Sequence, residues 1–318
     1  MSDLPKRVEI SEEGPREGFQ SEKKMIPVSD KVRLIEALAD AGLRHIACVS
    51  YVNPRRVPTM ADAAEVAAAI RQKPGVEYSA LWLNRQGLER ALDGPLHVDG
   101  GVRVTASDTF SRKNLGKPVA DALVEQRGSL QLLKERGVPV EWGIILGAFG
   151  CNFEGELPTG LILQRVQSAL DEAELAGFRL KGIKLTDAMG WATPRSVERL
   201  IDAIRSKWPE LEIGLHLHDT RGTGQAAAYA GLRLGVTKFD ASIAGLGGCP
   251  FAATDGAAGN ICTEDFAFMC EEMGVDTGLD VDRLIEVARL AEEVVGRPLP
   301  GHVMRGGTLA AAKQRATA

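Results

Sequence analysis

The chain has 318 residues, of which 44% are hydrophobic and 25% charged, and its formal net charge is -5. This length fits two ordinary domains or one large α/β barrel, and we take one barrel as the expectation. The acidic balance disfavours nucleic acid and anionic lipid as partners. No stretch reaches the roughly 18 apolar residues that a membrane span requires, so we expect a small-molecule partner and no membrane association.

The five cysteines are scattered along the chain without a CxxC pair, a pattern that disfavours a disulfide framework and a thiolate zinc site. The N-terminal stretch MSDLPKRVEISEEG carries acidic residues and lacks an apolar centre, so it is typical of neither a signal peptide nor an Arg-rich transit sequence. Together these features predict a cytoplasmic protein.

Short apolar runs alternate with amphipathic helical patterns up to about residue 275, which predicts β-then-α units. The expected strands, in chain order, are VEIS near Val8, HIACVS near Ile46, EYSALWL near Tyr78, GVRVTAS near Val102, VEWGIIL near Trp142, KGIKLTD near Ile183, EIGLHLH near Leu215 and FDASIAG near Ile243. Between them, SDKVRLIEALADAG has Ser29 as a candidate N-cap, and ADALVEQRGSLQLLKERG ends on Gly137, where a C-cap is expected.

Eight such repeats match a (β/α)8 TIM barrel better than a doubly wound sheet, which usually has fewer strands. We therefore predict one α/β domain over residues 1–318, with the barrel at about 6–275. The stretch DVDRLIEVARLAEEVV predicts an appended C-terminal helix at about 280–296. The small-residue tail from about 301 to 318 is expected to be mobile.

Catalytic residues of TIM barrels lie at the C-terminal ends of the strands, and several unusual polar residues follow the predicted strands. They are Arg16 and Glu17 after the first strand, Asp187 after the sixth, His216 and His218 at the end of the seventh, and Cys249 and Asn260 in the Gly-rich segment after the eighth. We expect these side chains to meet at one mouth of the barrel.

His216 and His218 are two residues apart on a predicted strand, so both rings point to one face while Leu217 points away. With a carboxylate from another strand, two imidazoles directed into the barrel mouth form a facial site that divalent ions accept. The alternative interpretation is a pair of core histidines bonded to the backbone.

Each of the other polar residues also has a structural alternative. Arg16 and Glu17 could bind an oxyanion and a metal, or form an exposed ion pair in a turn. Asp187 could act as a base, or cap the helix near Thr193. Cys249 lies between glycines on a segment that we expect to act as a mobile lid, although most cysteines are small buried hydrophobes. We assign Cys48, Cys262 and Cys270 to the core.

Several of these segments carry a resemblance to a known family. GPREGFQSEKKMIP is similar to the family opening GPRDGLQNEK, SYVNPRRVPTMAD to SFVSPKWVPQMAD, and SDTFSRKNLG to SE-x-F-x-x-x-N. LHLHDTRGTG and AGLGGCPFA…GAAGN are similar to a metal-histidine motif and a catalytic-loop motif. Over roughly residues 8–300 the chain resembles the 3-hydroxy-3-methylglutaryl-CoA (HMG-CoA) lyase family, within a superfamily of metal-dependent TIM-barrel lyases and acyl-CoA synthases.

The resemblance implies a role for each candidate. It makes Glu17, His216, His218 and Asn260 the metal ligands, Arg16 the group that stabilises the carbonyl oxygen, Asp187 an acid/base group that could act through His216 as a further catalytic residue, Cys249 the acid of a mobile loop, and Lys113 and Asn114 contacts of coenzyme A. The implied cofactor is Mg2+ or Mn2+, with Zn2+ as an alternative, and the implied substrate is an acyl-CoA. We expect a homodimer or a higher homo-oligomer.

Three departures from the family pattern point to a divergent paralogue with a different 3-hydroxyacyl-CoA. The family's Arg-Asp is Arg16-Glu17 here, which keeps an oxygen donor and is also found in homocitrate synthases. The glutamate of the family motif IETTSF is Ala47 in IACVSY, so a catalytic carboxylate is missing at that position. The segment from Cys249 to Asn260 is two residues longer than the family's GCPYAxGAxGN.

The expected reaction is a retro-Claisen or aldol-type cleavage that releases a short acyl-CoA and a keto acid or ketone. Two alternatives remain open from the sequence. One is a condensing enzyme that joins acetyl-CoA to a 2-keto acid, as homocitrate and isopropylmalate synthases do. The other is a barrel that binds a ligand without catalysis, a reading motivated by Ala47.

Overall fold

A computed structural model describes residues 4–248 and 258–317 of the chain. The strands of these ranges are β1 (Glu9–Glu12), β2 (His45–Tyr51), β3 (Glu77–Trp82), β4 (His97–Val98), β5 (Gly101–Thr105), β6 (Trp142–Leu146), β7 (Gly182–Thr186), β8 (Glu212–His216) and β9 (Lys238–Ala241). They form one parallel sheet in the order β4-β3-β2-β1-β9-β8-β7-β6-β5.

The two ends of this sheet meet. β4 pairs with β3 and β5 pairs with β6, while only Asp99 and Gly100 separate β4 from β5 along the chain. β4 and β5 therefore act as two halves of one interrupted strand, and the sheet closes into a barrel. The predicted TIM barrel is confirmed, but the count of eight strands is wrong by one segment because the fourth barrel strand is broken in two.

The helices of the described residues follow the strands. They are α1 (Phe19–Ser21), α2 (Val28–Asp40), α3 (Ala63–Ala69), α4 (Arg85–Leu92), α5 (Asp108–Leu115), α6 (Val119–Glu135), α7 (Thr159–Leu175), α8 (Pro194–Lys207), α9 (Gly224–Arg233), α10 (Thr263–Glu272), α11 (Val281–Val295), α12 (Val303–Gly306) and α13 (Leu309–Thr317). Strand residues that face the helices are apolar, as in other parallel barrels: Val104, Ile145 and Leu185 are at most 1% exposed. No helix of the described ranges has the length and apolar character needed to cross a membrane.

Of the two predicted helix ends, the start at Ser29 is wrong and the stop at Gly137 is confirmed. Ser29 is not an N-cap, because α2 begins at Val28 and the extended Pro27 precedes it; Pro27 carbonyl oxygen instead accepts hydrogen bonds from the following turn. The C-terminal stop at Gly137 is confirmed, since its φ is +70°, a conformation that glycine adopts at low cost. The appended helix is present as α11, with Asp280 as its side-chain N-cap.

The segment after residue 300 is partly packed. Asp265 in α10 accepts hydrogen bonds from the backbone N–H groups of His302 and Val303, and Met304 is 1% exposed. α13 has no buried residue. α12 contacts α10, a contact that the sequence does not predict because the four residues of α12 are too few to show a period. The mobility of the rest of the tail stays a prediction.

A strained turn after β9 directs the chain back to the mouth of the barrel. It spans Ile243–Gly245, and Ala244 has a left-handed φ of 55°, which is unfavourable for a residue with a Cβ. Glu264 holds the turn, because its Oε2 accepts the Ala244 N–H at 2.9 Å. Glu12 holds it from β1 by accepting the Ile243 N–H at 2.9 Å. Both carboxyl groups are completely buried.

Burial raises the pKa of Glu264 to about 8, against an ordinary value of 4.5. Between these values the folded state binds more protons than the unfolded state, so the free energy of unfolding falls as the pH rises. We expect Glu264→Gln to flatten this fall by up to ~1.4 kcal/mol per pH unit, measured by urea unfolding at pH 5 and pH 8. Burial also raises the pKa of Glu12, to about 7. Its contribution to the pH dependence is the same in the wild type and in Glu264→Gln. Parallel pH dependences would contradict the assignment.

Candidate metal centre

Three strands that are neighbours in the barrel bring the candidate ligands to one mouth. β1 is adjacent to β9, and β9 is adjacent to β8. Glu17 lies in a π-helical turn, Gly14–Gly18, just after β1, and His216 is the last residue of β8. After β9 the chain returns and pairs Asn260 with His218 in an isolated antiparallel bridge. Strand-end residues that are far apart in the sequence therefore converge.

Glu17, His216 and His218 form a triangle of potential ligand atoms. The Nε2 atoms of the two histidines are 3.3 Å apart. Glu17 Oε1 is 3.1 Å from Nε2 of His218, and Glu17 Oε2 is 3.6 Å from Nε2 of His216. Metal–ligand bonds of about 2.1 Å place neighbouring ligand atoms about 3.0 to 3.4 Å apart in octahedral and tetrahedral sites. Two of the three distances fall in this range and the third is 0.2 Å longer, so the triangle is close to the size that a single divalent ion requires.

Asn260 adds a fourth candidate donor. Its side chain is completely buried, and its Nδ2 lies 3.1 Å from Glu17 Oε1. Its Oδ1 has no hydrogen-bond partner among the described residues. Because a half-turn of the amide exchanges Oδ1 and Nδ2, the oxygen can take the position beside Glu17. A buried amide oxygen without a partner is costly, so the residues present fit a bound cation.

The backbone of residues 246–248 crosses directly over these donors. The Gly248 N–H donates to Glu17 Oε1 at 3.3 Å. Gly247 has a φ of +105°, and a Cβ on it would lie 2.6 Å from Nδ2 of Asn260. Only glycine permits this approach, so the Gly-rich segment is required by the geometry of the site.

Charged neighbours keep Glu17 ionised, the form that binds cations. Burial alone would raise its pKa, but the Arg16 guanidinium and the two imidazoles hold it well below its usual range. Arg16 Nη1 is 3.2 Å from Glu17 Oε2, and the opposite edge of the guanidinium, Nε and Nη2, donates to Glu13 Oε2. N–H groups on both Nη atoms remain for an oxygen of a ligand.

Asp240 on β9 orients the ring of His216. Its Oδ2 is 3.1 Å from Nδ1 of His216, and its Oδ1 accepts a hydrogen bond from Lys184 Nζ at 2.8 Å. Burial alone would raise the pKa of Asp240, but Lys184 and His216 hold it at about 2. An anionic Asp240 accepts a hydrogen bond from the Nδ1–H of His216, and the lone pair of His216 is then on Nε2, the atom that faces the other ligands.

Comparison with known proteins identifies the family of the chain. The HMGL-like family profile matches residues 7–291. The chain belongs to the HMGL-like family. It is 37% identical over 302 residues to the hydroxymethylglutaryl-CoA lyase YngG of Bacillus subtilis, covering 93% of this chain and 96% of that protein. The predicted family is therefore confirmed.

Two further relatives of the HMGL-like family are informative. The 3-hydroxy-3-isohexenylglutaryl-CoA/hydroxymethylglutaryl-CoA lyase of Pseudomonas aeruginosa is 38% identical over 294 residues, covering 92% of this chain and 95% of that protein. An HMG-CoA lyase of Acinetobacter baumannii, solved with coenzyme A and 3-methylmalate, has a TM-score of 0.84 and 32% identity. That alignment covers 97% of each chain.

The structure rejects two of the structural alternatives. Arg16 and Glu17 are not an exposed ion pair in a turn, because their side chains are only 15% and 12% exposed. The buried rings of His216 and His218 do not rest on backbone hydrogen bonds, since their contacts are with each other, Glu17 and Asp240. Both pairs lie at the mouth, as predicted.

Asp187 is completely buried behind the site. Its Oδ1 accepts the Trp191 N–H at 2.8 Å and its Oδ2 accepts the Ala192 N–H at 2.9 Å. The alternative role as a cap of α8 is wrong, because the Thr193 side chain caps that helix. Among the described contacts, the ring of His216 is bonded to Asp240 and not to Asp187.

The remaining candidates lie outside the triangle. Lys113 and Asn114 are in the last turn of α5, with Lys113 exposed and Asn114 half-buried. Cys249 and the longer segment up to residue 257 lie outside the described residues. Cys48, Cys262 and Cys270 are buried, as expected.

Two residues that the sequence analysis missed belong to this centre, Asp240 and Lys184. Both lie within predicted strands, FDASIAG and KGIKLTD, where a charged residue interrupts an apolar run. That interruption is the signal that could have identified them, since a charge in a barrel strand must face the lumen and find a partner.

We expect Asp240→Asn to weaken Mn2+ binding roughly tenfold or more, because the Nδ1–H of His216 loses its anionic acceptor. Mn2+ titration calorimetry on the purified variant measures this. Glu9→Gln, an exposed carboxylate at the opposite end of β1, is the control and should bind Mn2+ as the wild type does. An unchanged Kd for Asp240→Asn would exclude the orienting role.

Proposed function

We propose that the protein is a divalent-metal-dependent carbon–carbon lyase that cleaves an HMG-CoA-like 3-hydroxyacyl-CoA into a short acyl-CoA and a keto acid or ketone. The observation that carries the proposal is the triangle of Glu17, His216 and His218 beside a buried Arg16 at the barrel mouth. The chain's relatives of the HMGL-like family are carbon–carbon lyases, so the class of reaction follows from the family.

Cleavage next to a tertiary alcohol requires removal of the hydroxyl proton, support for negative charge on that oxygen, and support for the enolate that departs. Glu17, His216, His218 and Asn260 would hold the cation. When bound, it supplies Lewis-acid charge beside the oxygens of the substrate. Arg16 presents its free N–H groups to the thioester oxygen, where enolate charge develops.

The resemblance assigns the two proton transfers to Asp187 and Cys249. Each oxygen of Asp187 accepts one backbone hydrogen bond, so a lone pair remains on each for the hydroxyl proton. The backbone N–H of Asp187 also donates to the carbonyl oxygen of His216 at 2.8 Å, which fixes the end of β8. Cys249 then protonates the enolate carbon.

The acyl group is larger than that of HMG-CoA. Ala47 stands where the family motif has glutamate, and it is only half-buried, so its methyl group faces open space. The Pseudomonas aeruginosa relative is named for a substrate with an isohexenyl group in place of methyl, which supports an ester with a larger group at this position. Lys113 and Asn114 would contact the coenzyme A portion.

The remaining assignments complete the proposal. The metal is Mg2+ or Mn2+, since a carboxylate and an amide oxygen accompany the imidazoles, with Zn2+ as the alternative that the donor set also accepts. The protein acts in the cytoplasm as a homodimer or higher homo-oligomer.

A panel of 3-hydroxy-3-alkylglutaryl-CoA esters tests the proposal. We expect Mn2+-loaded protein to release acyl-CoA from an ester with a long alkyl group, and to cleave HMG-CoA with kcat/KM below ~10⁴ M⁻¹s⁻¹. Acetyl-CoA with a panel of 2-keto acids is the parallel arm for a condensing enzyme. HMG-CoA cleavage above that threshold would show an ordinary HMG-CoA lyase, and condensation without cleavage would overturn the proposed reaction.

A further inference from the structure

Glu13 lies directly after β1, at the point where the pairing of β1 with β2 ends. In the parallel pair of β1 and β2, Glu12 is opposite Ile46, and Glu13 and Ala47 are the residues that directly follow these two. Side chains alternate along a strand, and Glu12 points out of the barrel to its partner Thr263. Glu13 follows the strand with helical backbone angles, and its side chain lies at the barrel mouth, because its Oε2 accepts a hydrogen bond from Nε of Arg16, which also contacts Glu17.

The burial pattern of β2 places Ala47 on the lumen side. Ile46 is 1% exposed and packs against the helices, whereas Ala47 is half-buried. Ala47 pairs in turn with Ser79 on β3, which is half-buried as well. Ala47 and Ser79 thus lie at one level of the lumen wall, and Glu13 follows the β1 residue that pairs with Ile46, the residue before Ala47.

Glu13 binds Arg16 on the side opposite the metal-ligand triangle. Its Oε2 accepts hydrogen bonds from Nε, at 3.0 Å, and from Nη2 of Arg16. Nη1 of the same guanidinium lies 3.2 Å from Glu17. The side chains of Glu13 and Arg16 are 12% and 15% exposed, so water competes weakly for these bonds. The two carboxylates fix the plane in which Arg16 presents its remaining N–H groups.

We propose that Glu13, directly after β1, supplies the carboxylate that the family motif IETTSF carries on β2 at the position of Ala47, and that it acts as a positioning residue for Arg16. The inference rests on the proposed function. It explains how the chain keeps a buried arginine paired at this mouth while it lacks the family glutamate. In this chain the carboxylate therefore comes from the residue after β1 and not from β2, and the space beside Ala47 stays open.

A relocation experiment tests the exchange. The variants are Glu13→Gln, Glu13→Ala, Ala47→Glu and the double variant E13A/A47E, with Glu9→Gln as the matched control on β1. We expect Glu13→Gln and Glu13→Ala to lower kcat at least ~10-fold with bound Mn2+ unchanged, because the orientation of Arg16 is lost and the metal ligands are not. Ala47→Glu alone places two carboxylates side by side, which is unfavourable, and also lowers kcat.

The double variant E13A/A47E tests the exchange most directly, because it removes the carboxylate at Glu13 and restores one at position 47. We expect its kcat to exceed that of Glu13→Ala at least ~5-fold. Glu13→Gln keeps the size of the side chain and serves if Glu13→Ala does not fold. If kcat of Glu13→Gln is within twofold of the wild-type value, the inference is overturned. It is also overturned if kcat of the double variant does not exceed that of Glu13→Ala.

A second readout separates this inference from the proposed function. The Arg16 side-chain Nε–H, assigned by its loss in Arg16→Lys, should give a slowly exchanging NMR signal in the wild type. We expect that signal to disappear in Glu13→Gln and to return in E13A/A47E. If the wild-type protein cleaves no ester of the panel, the proposed function is refuted. The spectra would still test whether Glu13 is paired with Arg16. A signal unchanged by Glu13→Gln refutes the positioning role.

Discussion

His218→Ala is expected to remove the bound divalent ion and to lower turnover by at least ~10³-fold, because Lewis-acid charge leaves with the ion. His218 Nε2 is 3.1 Å from Glu17 and 3.3 Å from Nε2 of His216, so its loss opens the triangle. The donors that remain hold a labile ion poorly against water. Metal content after gel filtration and steady-state kinetics measure the two effects.

The control for this variant is His97→Ala. His97 is a half-exposed residue on β4, distant in the sheet order from β8, and its loss should change neither metal content nor turnover. If His218→Ala retained stoichiometric Mn2+, His218 would not be a ligand and the site would have to lie elsewhere.

Arg16→Lys is expected to keep the fold and the metal but to lose about 10²-fold of kcat. A guanidinium can pair with Glu13 and Glu17 at once and still direct N–H groups to an oxyanion, whereas an ammonium group has three donors and no fixed plane. Steady-state kinetics with the ester that the wild type prefers measure the loss, and thermal unfolding measures the fold.

The comparison variant is Arg7→Lys, an exposed arginine whose side chain is 62% exposed and 3.6 Å from Asp276. It should match the wild type in both measurements. A lowered Tm together with unchanged turnover in Arg16→Lys would make Arg16 a structural residue and remove it from the reaction.

The barrel was predictable because strand and helix periods alternate in the sequence and each strand is followed by a turn. β4 was not, because its two residues, His97–Val98, are too few to show a period. Ser29 was assigned as a cap from residue type alone, while the backbone of Pro27 determines where α2 begins. Local propensity identified the helix but not its first residue.

The metal-ligand triangle was predictable because the C-terminal ends of parallel strands meet at one mouth, so Glu17, His216 and His218 had to lie close together. The hydrogen-bond partners of these ligands were not predictable from the sequence. Whether Asp187 or Asp240 bonds to His216 depends on the neighbour relation of β8 and β9 and on side-chain direction, neither of which the spacing of residues determines.

The same limit applies to Glu13. The sequence shows a missing carboxylate at Ala47, but the pairing of Glu12 with Ile46 and the hydrogen bond from Arg16 to Glu13 are needed to see that Glu13 is near the same part of the barrel mouth. A departure from a family motif at one position can therefore be compensated at a position 34 residues away in the chain (13 against 47) and one strand away in space.

The most direct test of the account is a Mn2+ titration of metal-free wild-type protein in which bound metal and ester cleavage are measured on the same samples. We expect cleavage to be absent without metal, to rise in proportion to bound Mn2+, and to saturate at about one ion per chain, as a single triangle of ligands requires. Full turnover by the metal-free protein, or stoichiometric binding of Mn2+ with no cleavage of any ester, would contradict it.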